Sequence, residues 1–269
     1  MIWAGILLAL VLLVMFSKRY AWWRSAAGME YPRILMYHMV SEHRPGAKFN
    51  KLRVPPDAFD WQIRWLKENG WYFALMSELA VPEKLPSKTV FLTFDDGYAD
   101  NYHFAHPVLQ KYGARATLYL VVDRFDRDWS TAKKAHHNTG ELMREPKLTD
   151  HQVSTMLASG CWELGGHTLT HANLARLDEA QKLAEIRGCR EQLESRFGVS
   201  VPSFAYPFGI YDKTDVALAE KAGFTSAVTT EEGIDTDLQA RCFELSRVKI
   251  SGKDSRLAFR LRIRTGRRG

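Results

Sequence analysis

Two adjacent aspartates, Asp95 and Asp96, end the apolar run "TVFLTF" and open the stretch "DDGYADNY". Like charges repel, and the end of a buried strand is a poor place for either. An Asp-Gly turn would account for them, and so would a metal ion or a reaction that needs a base. Further along, "ELGGHTLTHANL" carries His167 and His171. Four residues apart on a helical turn, both would project from one face and could grip one metal. Gly165 and Gly166 would let the backbone turn sharply and leave room close by. Two histidines and an aspartate form a ligand set with positions left open. A metal held there acidifies water and polarises a carbonyl oxygen. With one aspartate on the metal and the next taking a proton, both carboxylates have a use. A third stretch, "FAYPFG" (Phe204 to Gly209), constrains the backbone into a turn that can present an N–H to an oxyanion.

These residues need elements to position them. "RILMYHMV", "TVFLTF", "ATLYLVV", "SFAYPFG", "TSAVTT" and "LSRVKI" read as strands. Between them, "PDAFDWQIRWLKENG", "HFAHPVLQKYG", "LTDHQVSTMLASG", "DEAQKLAEIRGCREQLESRFG" and "DKTDVALAEKAG" read as helices, with Thr149 as an N-cap and Gly113 and Gly198 as stops. Such alternation predicts a parallel sheet or barrel with helices outside, and reactive residues gather at the C-terminal ends of its strands. The two aspartates stand at such an end. The polar segment from Asp123 to Pro146 has no periodicity and reads as a lid or an insertion, with His136 and His137 solvated rather than metal-bound.

The two ends of the chain differ from this middle. "MIWAGILLALVLLVMF" is uncharged until Lys18 and Arg19, and Tyr20, Trp22, Trp23 and Arg24 follow. The positive charges come after the apolar run and no small-residue cleavage site follows, so residues 1–24 read as an uncleaved anchor helix rather than a signal peptide. As a helix, Met1 to Phe16 measures roughly 24 Å, short against a hydrocarbon core of ~30 Å, and the aromatic flank would extend it at the interface. The basic flank favours a bacterial inner-membrane protein whose domain faces the cytoplasm, with a periplasm-facing domain as the alternative. Residues 253–269 read as a basic tail: from Arg256 the chain holds six arginines and no acid, within a net charge of +6. That suits an anionic membrane surface or phosphate group, or no partner at all. No zinc-finger spacing or RNA-binding signature points to nucleic acid. Cys161, Cys189 and Cys242 are too few and too scattered for a disulfide framework.

Together, "TFDDG", "HTLTH" and "YPFG", in this order and spacing, resemble the polysaccharide deacetylase family, also called the NodB-homology or carbohydrate esterase family 4 group. The resemblance covers about Arg33 to Ile250, within a catalytic domain spanning 30–252. It implies a distorted (β/α)7-type barrel, an α/β fold, that removes N-acetyl groups from amino sugars with one divalent metal ion. Zinc leads, with cobalt, nickel, manganese or iron as alternatives. Carried over by position, Asp95 is the general base, Asp96, His167 and His171 hold the metal, and the Phe208 N–H, beside Tyr206, serves the oxyanion and substrate.

Two departures matter. The family's third motif is commonly Arg-x-Pro-Tyr-Gly, whereas Ala205 and Phe208 stand at the arginine and tyrosine positions here. An arginine that orients the base must come from elsewhere, and Arg247 at a late strand end is the candidate. The family's late histidine, its general acid, is also missing, since no histidine follows His171. His38 ends the first strand and could reach the same mouth in a closed barrel. It resembles the early Tyr-His of the poly-N-acetylglucosamine deacetylase branch, where that histidine is thought to replace the missing acid.

The short link from the anchor to the first strand predicts an active site near the bilayer. The expected substrate is accordingly a lipid-linked amino sugar, such as an N-acetylhexosamine on undecaprenyl phosphate in lipid A modification. The alternatives are a periplasmic deacetylase of poly-N-acetylglucosamine, a deformylase of a formamido sugar, and a catalytically dead sugar-binding protein.

Overall fold

The computed structural model describes residues 2–20, 22–127 and 140–267. His136 and His137 lie outside the described residues.

All eight residues of "TVFLTFDD" are buried. A strand covered on both faces needs helices outside and a filled interior, which in parallel sheets means crossover connections. Among the described residues the strands are β1 (Arg33–Tyr37), β2 (Met39–Val40), β3 (Arg53–Val54), β4 (Tyr72–Ala74), β5 (Thr89–Asp96), β6 (Ala116–Leu120), β7 (Trp162–Gly166), β8 (Ser203–Ala205), β9 (Ser226–Glu232) and β10 (Leu245–Lys249). Seven parallel strands close a barrel in the order β1-β10-β9-β8-β7-β6-β5, with β1 also pairing β5 from Arg33↔Val90 to Tyr37↔Phe94. Short β4 takes only the start of β5, at Thr89 to Phe91, and β6 takes the rest. Between β9 and β10 the register shifts, from Leu245↔Val228 to Arg247↔Glu232. Such irregularities re-aim side chains near active sites.

The helices are α1 (Ile2–Tyr20), α2 (Pro56–Glu68), α3 (His106–Tyr112), α4 (Asp150–Ala158), α5 (Glu179–Phe197), α6 (Lys213–Lys221) and α7 (Arg256–Thr265). Their boundaries follow local chemistry. Thr149 and Gln152 form a capping box on α4, Asp178 and Gln181 another on α5, and Gly198 ends α5 in the left-handed conformation. The larger core lies between barrel and helices, and a second cluster with Ile34, Phe91, Tyr119, Val228 and Leu245 fills the barrel below the mouth.

Both chain ends differ from expectation. Helix α1 forms where the anchor was expected and exposes Leu7, Leu8, Leu12 and Met15. Among the described residues, however, no helix is long and apolar enough to cross a membrane. Its apolar part, Ile2 to Phe16, is roughly 22 Å long against ~30 Å of hydrocarbon. Residues 253–269 differ too, because much of this stretch is docked rather than a free tail. Phe259, Arg262 and Ile263 of α7 are buried, and the Phe259 ring meets Trp61 and Trp65 at 5.9 Å each. The pattern of arginines hid an amphipathic helix, since Arg262 is buried against Asp254 (2.8 Å) and Glu232 (3.4 Å).

The link after α1 wedges under the barrel. Arg33 donates to the carbonyls of Ala27 (2.9 Å), Gly28 (2.6 Å) and Ile263 (3.0 Å), and Lys88 N–H donates to Met29 (2.8 Å). Arg33 and Lys88 stand at the N-terminal ends of β1 and β5, so the chain from α1 enters at the end of the barrel opposite the two aspartates.

Candidate active site

Adjacent residues of a regular strand point to opposite faces. Asp95 shares the inward side of β5 with Phe91 and Thr93, so Asp96 by alternation would face the helices. It does not, because β5 ends on Asp96 with φ 80°, and this left-handed turn swings its carboxylate to the same pocket. Gly97, at φ 83°, continues the turn. The Asp-Gly turn and the chemical use are therefore one feature.

Arg247 clamps Asp95 from β10, the second strand over, across β1. Nη1 donates to Oδ1 at 2.7 Å and Nη2 to Oδ2 at 2.8 Å, while Nε donates to the Thr229 carbonyl at 2.7 Å and Nη1 also to Thr93 Oγ1 at 3.1 Å. The guanidinium is fully buried. Burial alone would push the Asp95 carboxyl up, but the Arg247 charge and hydrogen bonds outweigh it and hold the group below the usual carboxylate range. The structure thus brings Arg247 against the proposed base, where the sequence had placed it without geometry. His38 approaches the other side, its Nε2 3.9 Å from Asp95 Oδ2.

Asp96 faces the two histidines. Its Oδ1 lies 3.3 Å from Nε2 of His167 and 3.3 Å from Nε2 of His171, and all three side chains are buried. The histidines are not on a helical turn. They sit on a loop after β7 in which Thr168 (φ 63°) and His171 (φ 56°) are left-handed. Glu185 of α5 holds that loop through the Thr170 N–H (3.0 Å) and hydroxyl (2.8 Å). Nor do Gly165 and Gly166 make a turn; both belong to β7. They are there for packing: a Cβ on Gly165 would meet the Tyr119 ring at 2.3 Å, and one on Gly166 the Phe224 ring at 2.9 Å.

The donor set fits a divalent cation. His167 Nδ1 lies 2.7 Å from the Ala205 carbonyl, which can only accept, so Nδ1 carries the proton and Nε2 turns its lone pair to the site. Burial pushes the His171 imidazole down despite Asp96 beside it, which favours the neutral ligand form. Burial would raise the Asp96 carboxyl, but the two histidines outweigh it and hold it well below its ordinary value. One anionic oxygen and two imidazole nitrogens within 4.8 Å of one another suit zinc, cobalt, nickel, manganese or iron.

The third stretch completes the mouth. Phe208 is left-handed at φ 60°, and its ring meets the His171 imidazole edge-on at 4.4 Å. Gly209 at φ 64° packs so closely that a Cβ would lie 1.9 Å from Thr230 Oγ1. Tyr206 lines the pocket with its ring, but its hydroxyl donates to the Phe243 carbonyl at 3.1 Å.

Sequence reading missed the pocket's far wall. A cavity of about 290 Å³ opens over these groups, bounded by Phe49, Leu52 and Leu142 as well as Met36, Thr230 and Lys249. Phe49 and Leu52 precede β3, whereas Leu142 belongs to the segment read as a lid or insertion. Buried Arg53 ties the two stretches, donating to Glu141 (2.9 Å) and Glu145 (2.7 Å), while Glu141 also accepts the Lys48 N–H at 2.9 Å. No local motif signals that clasp, because its partners are separated by 88 and 92 residues.

Comparison with known proteins points to one family. The family model "Polysaccharide deacetylase" matches residues 83–227. The YxkH protein of Bacillus subtilis (strain 168), assigned to the polysaccharide deacetylases, is 33% identical over 243 residues, covering 89% of this chain and 78% of that protein. A poly-beta-1,6-N-acetyl-D-glucosamine N-deacetylase of Staphylococcus aureus (strain MRSA252) is 23% identical over 223 residues, 77% of this chain and 73% of its own length. The crystal structure of a polysaccharide deacetylase from Bacillus cereus superposes with a TM-score of 0.73 at 28% identity, covering 87% of this chain and 69% of that one. With the barrel, the buried Asp-His-His trio and the adjoining aspartate in place, the chain belongs to the polysaccharide deacetylase family and is a carbohydrate deacetylase.

Proposed function

We propose that this protein removes N-acetyl groups from a polymer of N-acetylglucosamine, of the poly-β-1,6-linked class, using Asp95 as base and His38 as acid. The observation that carries the reading is the placement of Asp95 between Arg247 (2.7 Å) and His38 (3.9 Å), beside the Asp96, His167 and His171 trio.

A divalent cation held by Asp96, His167 and His171 would polarise the amide carbonyl and acidify the attacking water. Asp95, kept ionised by Arg247, accepts a proton from that water as its oxygen bonds to the carbonyl carbon. The Phe208 N–H is the proposed donor to the developing oxyanion. His38 gives a proton to the amine nitrogen as the C–N bond breaks, leaving acetate and a free amino sugar. Arg247 and His38 take the places of the family groups missing from the third motif and the late histidine. A dead sugar-binding protein would need neither.

Two observations favour a polymer over the lipid-linked sugar expected from the sequence. The S. aureus relative is named for a polymeric substrate. The chain from α1 also enters at the base of the barrel, so the mouth opens away from α1 rather than beside it. Attachment of α1 to a membrane surface, through its apolar side chains and the flanking Lys18, Trp22 and Trp23, remains part of this proposal. An exported polymer would put the domain on the outer, periplasm-facing side.

The test is acetate release by detergent-solubilised protein with added zinc or cobalt. A soluble β-1,6-N-acetylglucosamine oligomer is set beside undecaprenyl-phosphate N-acetylhexosamine. Turnover of the oligomer is expected; turnover of the lipid alone would overturn the polymer reading and restore the cytoplasmic one.

A further inference from the structure

His38 sits where the first strand leaves the barrel. β1 pairs with β5 through Tyr37 and with β10 through Met36, whereas β2 turns aside to pair with β3, and the Met39 N–H donates to the Leu52 carbonyl at 3.0 Å. At such a departure a carbonyl drops out of the ladder and needs another donor. The His38 carbonyl finds one in Asn101, whose Nδ2 donates to it at 2.9 Å.

Asn101 is fully buried, and its second amide hydrogen goes to Asp100 Oδ1 at 2.9 Å. The His38 carbonyl can only accept, so a flipped amide would set oxygen against it, and the orientation is determined by chemistry. Its Oδ1 is buried without a hydrogen-bond partner. Asn101 thus accepts a polar penalty at one end while the other end holds the His38 backbone. It is also the first residue of a π-helical turn, Asn101–Ala105, a local widening that often marks functional sites. The same strand end that supplies Asp95 and Asp96 therefore reaches back, five residues later, to hold the residue facing Asp95.

We propose that Asn101 is a positioning residue for His38: its amide holds the His38 carbonyl at the strand departure and so aims the imidazole at the leaving amine. The inference rests on the reading of His38 as the proton donor. It goes beyond that reading by giving a role to a residue with no contact to the reacting atoms.

The experiment uses the leaving group. An amine must be protonated to depart, whereas the phenolate of 4-nitrophenyl acetate departs without help. Asn101→Ala, or Asn101→Ser if the alanine variant folds poorly, is expected to lower kcat on the N-acetylglucosamine oligomer by roughly 10–100-fold, with aryl ester hydrolysis within about threefold of wild type. Metal content should be unchanged. On the oligomer, Asn101→Ala placed on His38→Ala should cost less than about twofold more. Equal losses on both substrates, additive losses in the double variant, or variants that bind no metal would each overturn the proposal and assign Asn101 to the fold. His38→Ala alone separates the premise: if it slows amide and ester equally, the proton-donor reading falls whatever Asn101 does.

Discussion

Arg247 and Asp95 meet edge-on, two nitrogens to two oxygens at 2.7 and 2.8 Å, although 152 residues separate them. This fork-to-fork geometry is the strong form of a charge-assisted hydrogen bond and also fixes the carboxylate plane. A base held this way stays ionised, and its lone pairs keep one orientation.

Arg247→Met is expected to lower kcat by at least ~100-fold while the metal stays bound. It should also destabilise the fold by about 3–5 kcal/mol, since a buried carboxylate loses its partner. With the cation gone, burial is opposed only by His38 and His167, and the Asp95 pKa rises from its wild-type position. The acidic limb of kcat/KM should therefore move to higher pH, and an unmoved limb would show that Asp95 is not the group that titrates.

Asp96→Asn should abolish binding of the divalent ion, read by metal analysis of the purified protein. A chelator should lower the Tm of wild type, because a ligand bound at about 100 times its Kd adds ~2.7 kcal/mol to the folded state. The same chelator should leave the Tm of Asp96→Asn unchanged. Equal chelator shifts in both proteins would place the ion elsewhere.

Asp100 offers a pH test of stability. Burial pushes its carboxyl up to about 7, with the Val40 N–H only partly offsetting this. Its unfolded value is about 3.9, so between roughly pH 4 and 7 the folded state holds the extra proton. Stability from this group is thus present at low pH and lost as pH rises through 7, a penalty of up to about 4 kcal/mol. Asp100→Asn should raise the denaturant midpoint at pH 8 and leave it nearly unchanged at pH 4, which urea titrations at both values would check.

Arg53→Met should open the pocket wall rather than stop the chemistry. Glu141 and Glu145 would lose their buried partner, at a cost of about 3–5 kcal/mol. Phe49, Leu52 and Leu142 would no longer be held against each other, and KM for the oligomer should rise more than kcat falls. A fall in kcat with KM unchanged would show that the wall does not contact substrate.

Much of the fold was legible because its signals are local. Thr149 with Gln152, Asp178 with Gln181, and Gly198 each mark a helix boundary through bonds within a few residues. The apolar run of β5 announced a strand buried on both faces. Arginine-rich α7 was misread because composition outweighed spacing, although Phe259 and Ile263 sit four apart on what proves to be its buried face.

The residue types alone point to a metal and a base, through two carboxylates after a strand and two histidines four apart; with the Pro-Phe-Gly turn they also carry the family resemblance, and the reaction class comes from that resemblance. How these groups work together depends on the folded barrel. The left-handed end at Asp96 turns neighbouring aspartates to one pocket, and a loop rather than a helix presents His167 and His171. Barrel closure carries Arg247 to Asp95 and Asn101 to His38, and the segments outside the barrel bring Arg53 to Glu141, pairs between 63 and 152 residues apart. Capping and periodicity act over one or two turns, so they are written locally. Contacts across a closed sheet depend on strand order and register, which no single stretch of sequence contains.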